Sequence, residues 1–272
     1  MKTLKDHIIL YDADCPMCKL YTNAFTKTGM LASDGRVAYQ QMPEAVCPYV
    51  DRQRAVNEIA LVNTKTGEVK YGIHSLFMVI SNSLPVFKGL FSFKPFIWLM
   101  SKVYAFISYN RRVIIPADTS NDNGIEPSFK LKYRVAYLLF TWAVVGFILT
   151  AYASLLIGFI PAGNSYREYL VCGGQIIFQG IIISFYAPTT RWDYLGNIMT
   201  ISFAGALLLI PMMVVSHFFH VVSFIYPLYF MGVAGLMFLE HIRRTKLLHL
   251  GWLLTISWVA YRLMVLVLIL KF

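Results

Sequence analysis

The sequence predicts an α/β N-terminal domain followed by an all-α integral membrane domain of about five transmembrane helices. Three observations lead there. Hydrophobic residues make up 57% of the 272 and charged residues only 14%, against about 25% charged in an average soluble domain. The charge is uneven: residues 1–134 hold 17 Lys/Arg and 11 Asp/Glu, residues 135–272 only 7 and 3. The second half also carries apolar runs near the ~20 residues that cross the hydrocarbon of a bilayer. The length suits one large or two modest domains. The boundaries read as an α/β domain at 1–115, a linker at 116–130 and a membrane domain at 131–272.

Within the first domain, DHIILYD reads as a short buried strand. CPMCKLYTNAFTKTGML follows as a helix, with Pro16 in its first turn, where the missing N–H costs nothing. RVAYQQM reads as a second strand, and residues 43–57 as a helix or irregular crossover. EIALVNTKTGEVKYG is a hairpin around Lys65-Thr66-Gly67, and IHSLFMVISNSL returns to helix. The order β-α-β-α-β-β-α is that of a thioredoxin-like α/β sandwich. Residues 84–115, broken by Pro85 and Pro95, form an amphipathic helical tail that packs on this domain or lies along the membrane face. PADTSNDNGIEPS has the composition of a linker.

The apolar runs are Tyr133–Ile160, Tyr169–Tyr186, Tyr194–Val215, Val221–Leu239 and Leu247–Leu270. They lack the polar stripe of soluble amphipathic helices. Lys130, Lys132, Arg134, Arg191, Arg243, Arg244 and Lys246 fall on one side of the implied bundle, Arg167 and Lys271 on the other. The positive-inside bias then puts the N-terminus inside and the C-terminus out. MKTLKDHIILYDADC has an apolar run of about four residues, short of the roughly 7–15 of a secretory signal. The expected location is a membrane, a bacterial inner membrane, with the N-terminal domain cytoplasmic. The net charge of +10 does not point to nucleic acid, because no basic cluster with interleaved aromatics occurs.

Four cysteines, Cys15, Cys18, Cys47 and Cys172, are too few for a disulfide framework, and a cytosolic Cys-x-x-Cys is catalytic or metal-binding more often than structural. Cys15-Pro-Met-Cys18 lies where a strand ends and a helix begins. Unpaired N–H groups and the positive end of the helix dipole stabilise a thiolate there, and the thiolate is the nucleophile. Cys15 is the expected attacking thiol and Cys18 the resolving one. Asp12 is placed to move a proton for Cys18, Asp14 to cap the helix. Zinc would need four ligands; the further candidates Cys47, His7 and His74 lack paired spacing, so no metal or cofactor is expected. Asp12-Ala13-Asp14 is also similar to the nucleophile motif of haloacid-dehalogenase-type phosphatases, but that motif continues with Gly and Thr or Val, not Cys15 and Pro16.

LYDADCPMC resembles the signature of the DCC-type thiol-disulfide oxidoreductase family, an Asp-x-x-Cys-x-x-Cys pattern that falls here on Asp12, Cys15 and Cys18. The resemblance runs on through the hairpin and ends near VYAFISYNRRVI, similar to the family's closing segment at Tyr104, Asn110 and Arg111. It covers roughly residues 5–115 and implies a thioredoxin-like fold, a dithiol activity and a protein or small-molecule thiol or disulfide as substrate. Thioredoxins place a cis-proline before the third strand to receive the substrate chain. AVNEIALV has none, so a different mode of substrate binding is expected.

The membrane half holds only Cys172, which excludes a thiol relay through the bilayer by this chain alone. Cys172, Gln175, His217, His220 and Arg262 fall in the outer half of the five-span arrangement. Ionisable groups inside spans are costly and often functional, and these would line a pocket for a quinone, an anionic lipid head group or a metal. The simpler account makes the histidines interfacial and lets Arg262 snorkel to the surface. Asp193, Asn197, Glu240 and His241 fall on the inner side, Glu240 at pairing distance from Arg243 and Arg244. Two non-enzymatic readings stand beside the oxidoreductase: a redox-sensing or partner-binding membrane protein, and a transport or lipid-handling domain regulated by the soluble part.

Overall fold

The computed structural model describes residues 2–42, 47–116 and 128–271. They divide into two units, Met1–Tyr133 and Arg134–Phe272. Most of the expected linker, residues 117–127, lies outside the described residues, as does the side chain of Cys47.

The first unit runs β1 (His7–Tyr11), α1 (Pro16–Lys27), β2 (Arg36–Ala38), α2 (Arg52–Asn57), β3 (Ala60–Asn63), β4 (Val69–Tyr71), α3 (Ile73–Ser83), α4 (Lys88–Ser92) and α5 (Lys94–Ile114). The sheet order is β2-β1-β3-β4. β1 pairs parallel with β2 and antiparallel with β3, which pairs antiparallel with β4. Residues alternate across the sheet. Ile9 and Leu61 join Cys15, Cys18, Leu31 and Val79 on one face, while Leu10, Ala60 and Val62 join Val50 and Ala55 on the other. The cysteines are thus part of a core built from β1, β3, α1 and α3.

The second strand is shorter than RVAYQQM suggests. Ala38 pairs with Tyr11, the last residue of β1; beyond it the neighbour has left the sheet, and Tyr39–Gln41 coil into a 3-10 turn. The hairpin turns at Lys65-Thr66-Gly67, where Asn63 Oδ1 accepts from the N–H groups of Lys65 and Thr66. The amphipathic tail is two helices meeting at 89°, broken at Phe93 ahead of Pro95 in the first turn of α5.

The second unit contains α6 (Leu131–Ala153), whose first turn belongs to the first unit, then α7 (Arg167–Tyr186), α8 (Arg191–Phe218), α9 (Ile225–Leu247) and α10 (Trp252–Lys271). All five are long and apolar enough to cross a membrane, and the bent pair α4–α5 would be a sixth if counted as one span. Large apolar side chains point outward, Phe185 and Phe147 among them, while Tyr194, Gln179 and His241 are buried. That inversion suits hydrocarbon as solvent, where polar groups satisfy one another internally. α9 and α10 each begin and end later than hydropathy alone suggests. The charged segment after Leu239 stays helical because its charges pair: Glu240 accepts from Arg243 and Arg244, and Arg244 reaches Asn197 Oδ1 at 2.9 Å.

Candidate functional site

β1 ends at Tyr11, and residues 12–14 turn the chain into α1. Proline disfavours a helical conformation in the residue before it. Cys15, before Pro16, is accordingly extended (φ −99°, ψ 108°) and is itself the N-cap. Its Sγ accepts from the Cys18 N–H at 3.3 Å. The expectation that Asp14 caps α1 is therefore corrected: Pro16 places the cap one residue later. Asp14 instead gives its N–H to Asp12 Oδ1 at 3.0 Å, and its Oδ2 accepts from Gln40 at 3.4 Å.

Both thiols are free and buried, Cys15 at 5% exposure and Cys18 at 3%. Asp12 is equally buried and pairs with Arg111 from the end of α5, Nη2 to Oδ2 at 2.8 Å. Its Oδ1 accepts from the Asp14 N–H and from Gln40 Nε2 at 3.2 Å. No hydrogen bond joins Asp12 to either sulfur. Arg111 also donates to Val56 O at 2.7 Å, while its buried Nε has no partner.

A single stripe of α5 makes these contacts. Tyr104, Ser108 and Arg111 share one helical face. The Tyr104 hydroxyl accepts from the Ile59 N–H at 3.1 Å, Ser108 donates to Asn57 O, and Arg111 to Val56 O. The segment entering β3 is thereby bonded to the protein's own helix. Gly72 makes room for it: at φ +61°, an added Cβ would lie 3.2 Å from the Tyr104 ring and from Glu58 Oε2. Gly72→Ala is expected to cost about 1–3 kcal/mol, from left-handed backbone strain alone. Thermal unfolding of the full chain checks it; an unchanged midpoint would mean that the loop relaxes freely.

The two thiols are driven apart electrostatically. Cys15 falls from an ordinary 9.0 to about 7. The hydrogen bond from Cys18 is the main cause; burial opposes it, the Arg111 guanidinium and the Cys18 N–H assist, and the Asp12 charge works against it. Cys18 is pushed far up, because it donates its S–H to Cys15 and is buried. The Tyr21 hydroxyl donates to Cys18 Sγ at 3.6 Å. Burial raises Tyr21 and Tyr104 as well, so both phenols keep their protons.

Sequence reasoning reached Cys15, Cys18, Asp12 and Pro16. It met Arg111 and Tyr104 only as part of a motif, without their contacts, and missed Gln40, Tyr21 and Ser108, which no local pattern signals. Among the described residues no group of three His, Cys, Asp or Glu gathers as metal ligands.

The five polar residues of the membrane half do not form one site. His217 and His220 are exposed at the end of α8 and share no bond with the others. Arg262 does not snorkel, because it sits mid-way along α10. Its Nε donates to Gln175 Oε1 at 2.9 Å and its guanidinium lies 5.0 Å from the Trp258 ring. Cys172 and Gln175 are buried, and Gln175 Nε2 is unpartnered. Asp193 pairs with Arg134 at 3.2 Å. His241 bonds Tyr194 and Thr255, each at 3.2 Å. Comparison of the chain with protein-family models, curated proteins and solved structures returns no match.

Proposed function

We propose that the chain is a membrane-anchored thiol-disulfide oxidoreductase of the DCC type, with a thioredoxin-like domain on the cytoplasmic side. The observation that carries this reading is the unequal pair: a Cys15 thiol at about 7, capping a helix, beside a Cys18 thiol that keeps its proton. The strand order β2-β1-β3-β4 with parallel β1–β2 supports the thioredoxin-like assignment. The basic residues near one set of helix ends, Lys130, Arg191 and Arg243 among them, support the orientation.

In the reductive direction the Cys15 thiolate attacks one sulfur of a substrate disulfide. A Cys15–substrate disulfide forms and the other substrate sulfur leaves as thiolate. Cys18 loses its proton to the departing thiolate and attacks Cys15 Sγ, which releases the second substrate thiol and leaves a Cys15–Cys18 disulfide. Two electrons pass to the substrate; the oxidative direction is the reverse. Asp12 acts as a positioning residue, holding Arg111 beside the sulfurs rather than moving a proton. The segment entering β3, bonded to α5 rather than left open, supports a compact thiol or disulfide substrate over an extended protein strand.

The test is thiol trapping of the full-length protein in detergent across glutathione ratios, with Cys15→Ser and Cys18→Ser controls. A reversible two-electron couple within about −120 to −270 mV is the expected result; no disulfide at any ratio would refute it. The burial of both thiols favours one second reading, a redox sensor. It predicts the same couple but exchange many-fold slower than that of a dithiol enzyme.

A further inference from the structure

The elbow between α4 and α5 has no part in the dithiol chemistry. From residue 69 to 117 the chain carries not one Asp or Glu, and Lys70, Lys88, Lys94 and Lys102 flank the elbow in sequence. Large apolar side chains stand exposed along the same stretch: Val86 at 82%, Trp98 at 65%, Phe93 at 58% and Leu99 at 52%. Rings pack across the bend: Phe91 before it and Phe96 after it lie 6.2 Å apart, and both stack on Phe77, at 4.1 and 5.8 Å. Beside it opens a cavity of about 460 Å³ lined by Arg54, Lys70, His74, Lys88, Phe77 and Phe91, with no carboxylate in its wall. Arg54 and Lys70 are loosely paired outside it, with Glu58 at 3.5 Å and Glu68 at 3.4 Å. Among the described residues no acidic side chain pairs with Lys88, Lys94 or Lys102; Lys102 lies 6.0 Å from the Trp98 ring.

We propose that the α4–α5 elbow is a docking site for anionic phospholipid, with the phosphate taken by Lys88 and the basic cavity and the acyl region met by Val86, Phe93, Trp98 and Leu99. Basic side chains flanking exposed aromatics are the composition of an element that lies in the interface, and Trp is favoured at head-group depth. Charge selects the lipid: each Lys near an anionic leaflet contributes enough to change binding about fivefold. The assignment does not depend on the dithiol reading.

The test uses full-length protein in nanodiscs of phosphatidylcholine, with or without phosphatidylglycerol, whose acyl chains carry bromine. Trp98 fluorescence is read as the difference between wild type and Trp98→Phe. The expected result is quenching of Trp98 that increases with phosphatidylglycerol, an increment lost in Lys88→Glu/Lys94→Glu while the pH profile of Cys15 alkylation stays unchanged, showing an intact fold. Three results would overturn the proposal. Trp98 reached by aqueous iodide but not by bromolipid leaves the elbow in water. Trp98 shielded from both quenchers means a protein covers it. An increment reproduced by inorganic phosphate in phosphatidylcholine alone assigns the cavity to a soluble anion.

Discussion

Arg111→Met is expected to destabilise the protein by about 3–5 kcal/mol, the usual loss when one partner of a buried ion pair is removed, and to move Cys15 back toward an ordinary thiol. The stability loss arises at Asp12, which is buried and loses the guanidinium that pairs with it. The reactivity loss arises at the sulfurs, since Arg111 lowers both thiols. With Cys15 at about 7, about half is thiolate at neutral pH; at an ordinary 9.0 the fraction is about one per cent. Alkylation of Cys15 against pH, followed by mass, should level off above about 8 in the wild type and still be rising there in the variant. The sign for stability is the opposite of a histidine's. A depressed thiol favours the fold fully above about 9 and loses that contribution as pH falls through about 7. Asp12→Asn/Arg111→Met should recover most of the stability, because no buried charge is left alone. Its Cys15 inflection should stay above wild type, since Arg111 acts on that thiol more strongly than Asp12 does. If Arg111→Met leaves both the melting point and the alkylation profile unchanged, the pair is not what organises the site.

Cys18→Ala should abolish turnover and raise the Cys15 inflection at once. Cys18 supplies the largest influence that lowers Cys15 and, in the proposed oxidoreductase, the second nucleophile. Without it a Cys15–glutathione adduct accumulates to about one per chain. Cys18→Ser separates the two roles. Its hydroxyl can still donate to Cys15, so the inflection stays nearer the wild type, yet it cannot resolve the adduct. Mass spectrometry of the adduct together with the alkylation profile reads both. An adduct that fails to form in either variant would mean that the buried Cys15 is closed to glutathione.

Local pattern gave most of the elements and little of the site's wiring. Alternation placed β1 and β3, and turn chemistry placed the hairpin at Lys65-Thr66-Gly67. Apolar length placed the five long helices but not all their ends: α6 stops at Ala153, short of Ile160, and α9 runs on to Leu247 because Glu240, Arg243 and Arg244 neutralise one another, which hydropathy cannot register. Pro16 held the information that Cys15, not Asp14, caps α1, through the conformation that it imposes on its predecessor. Arg111 is another matter. It stands 99 residues from Asp12, and nothing within either segment encodes which carboxylate it meets; only the packing of α5 decides. Gln40 reaches Asp12 because the chain leaves the sheet at Tyr39, a turn dictated by where β1 stops rather than by its own residues.

The α5 stripe also bears on how the chain is made. Asp12, Cys15 and Cys18 leave the ribosome first, and Arg111 follows Asp12 by 99 residues, a delay of about 5–20 s at ordinary translation rates. Tyr104 and Ser108 arrive only shortly before it. Until α5 reaches the entrance to β3, Cys15 lacks the neighbouring guanidinium that helps to lower it. The nascent domain therefore carries Cys15 closer to an ordinary thiol than the finished one does. The full lowering of the Cys15 thiol waits on the C-terminal end of α5, which is made last among the groups that lower it.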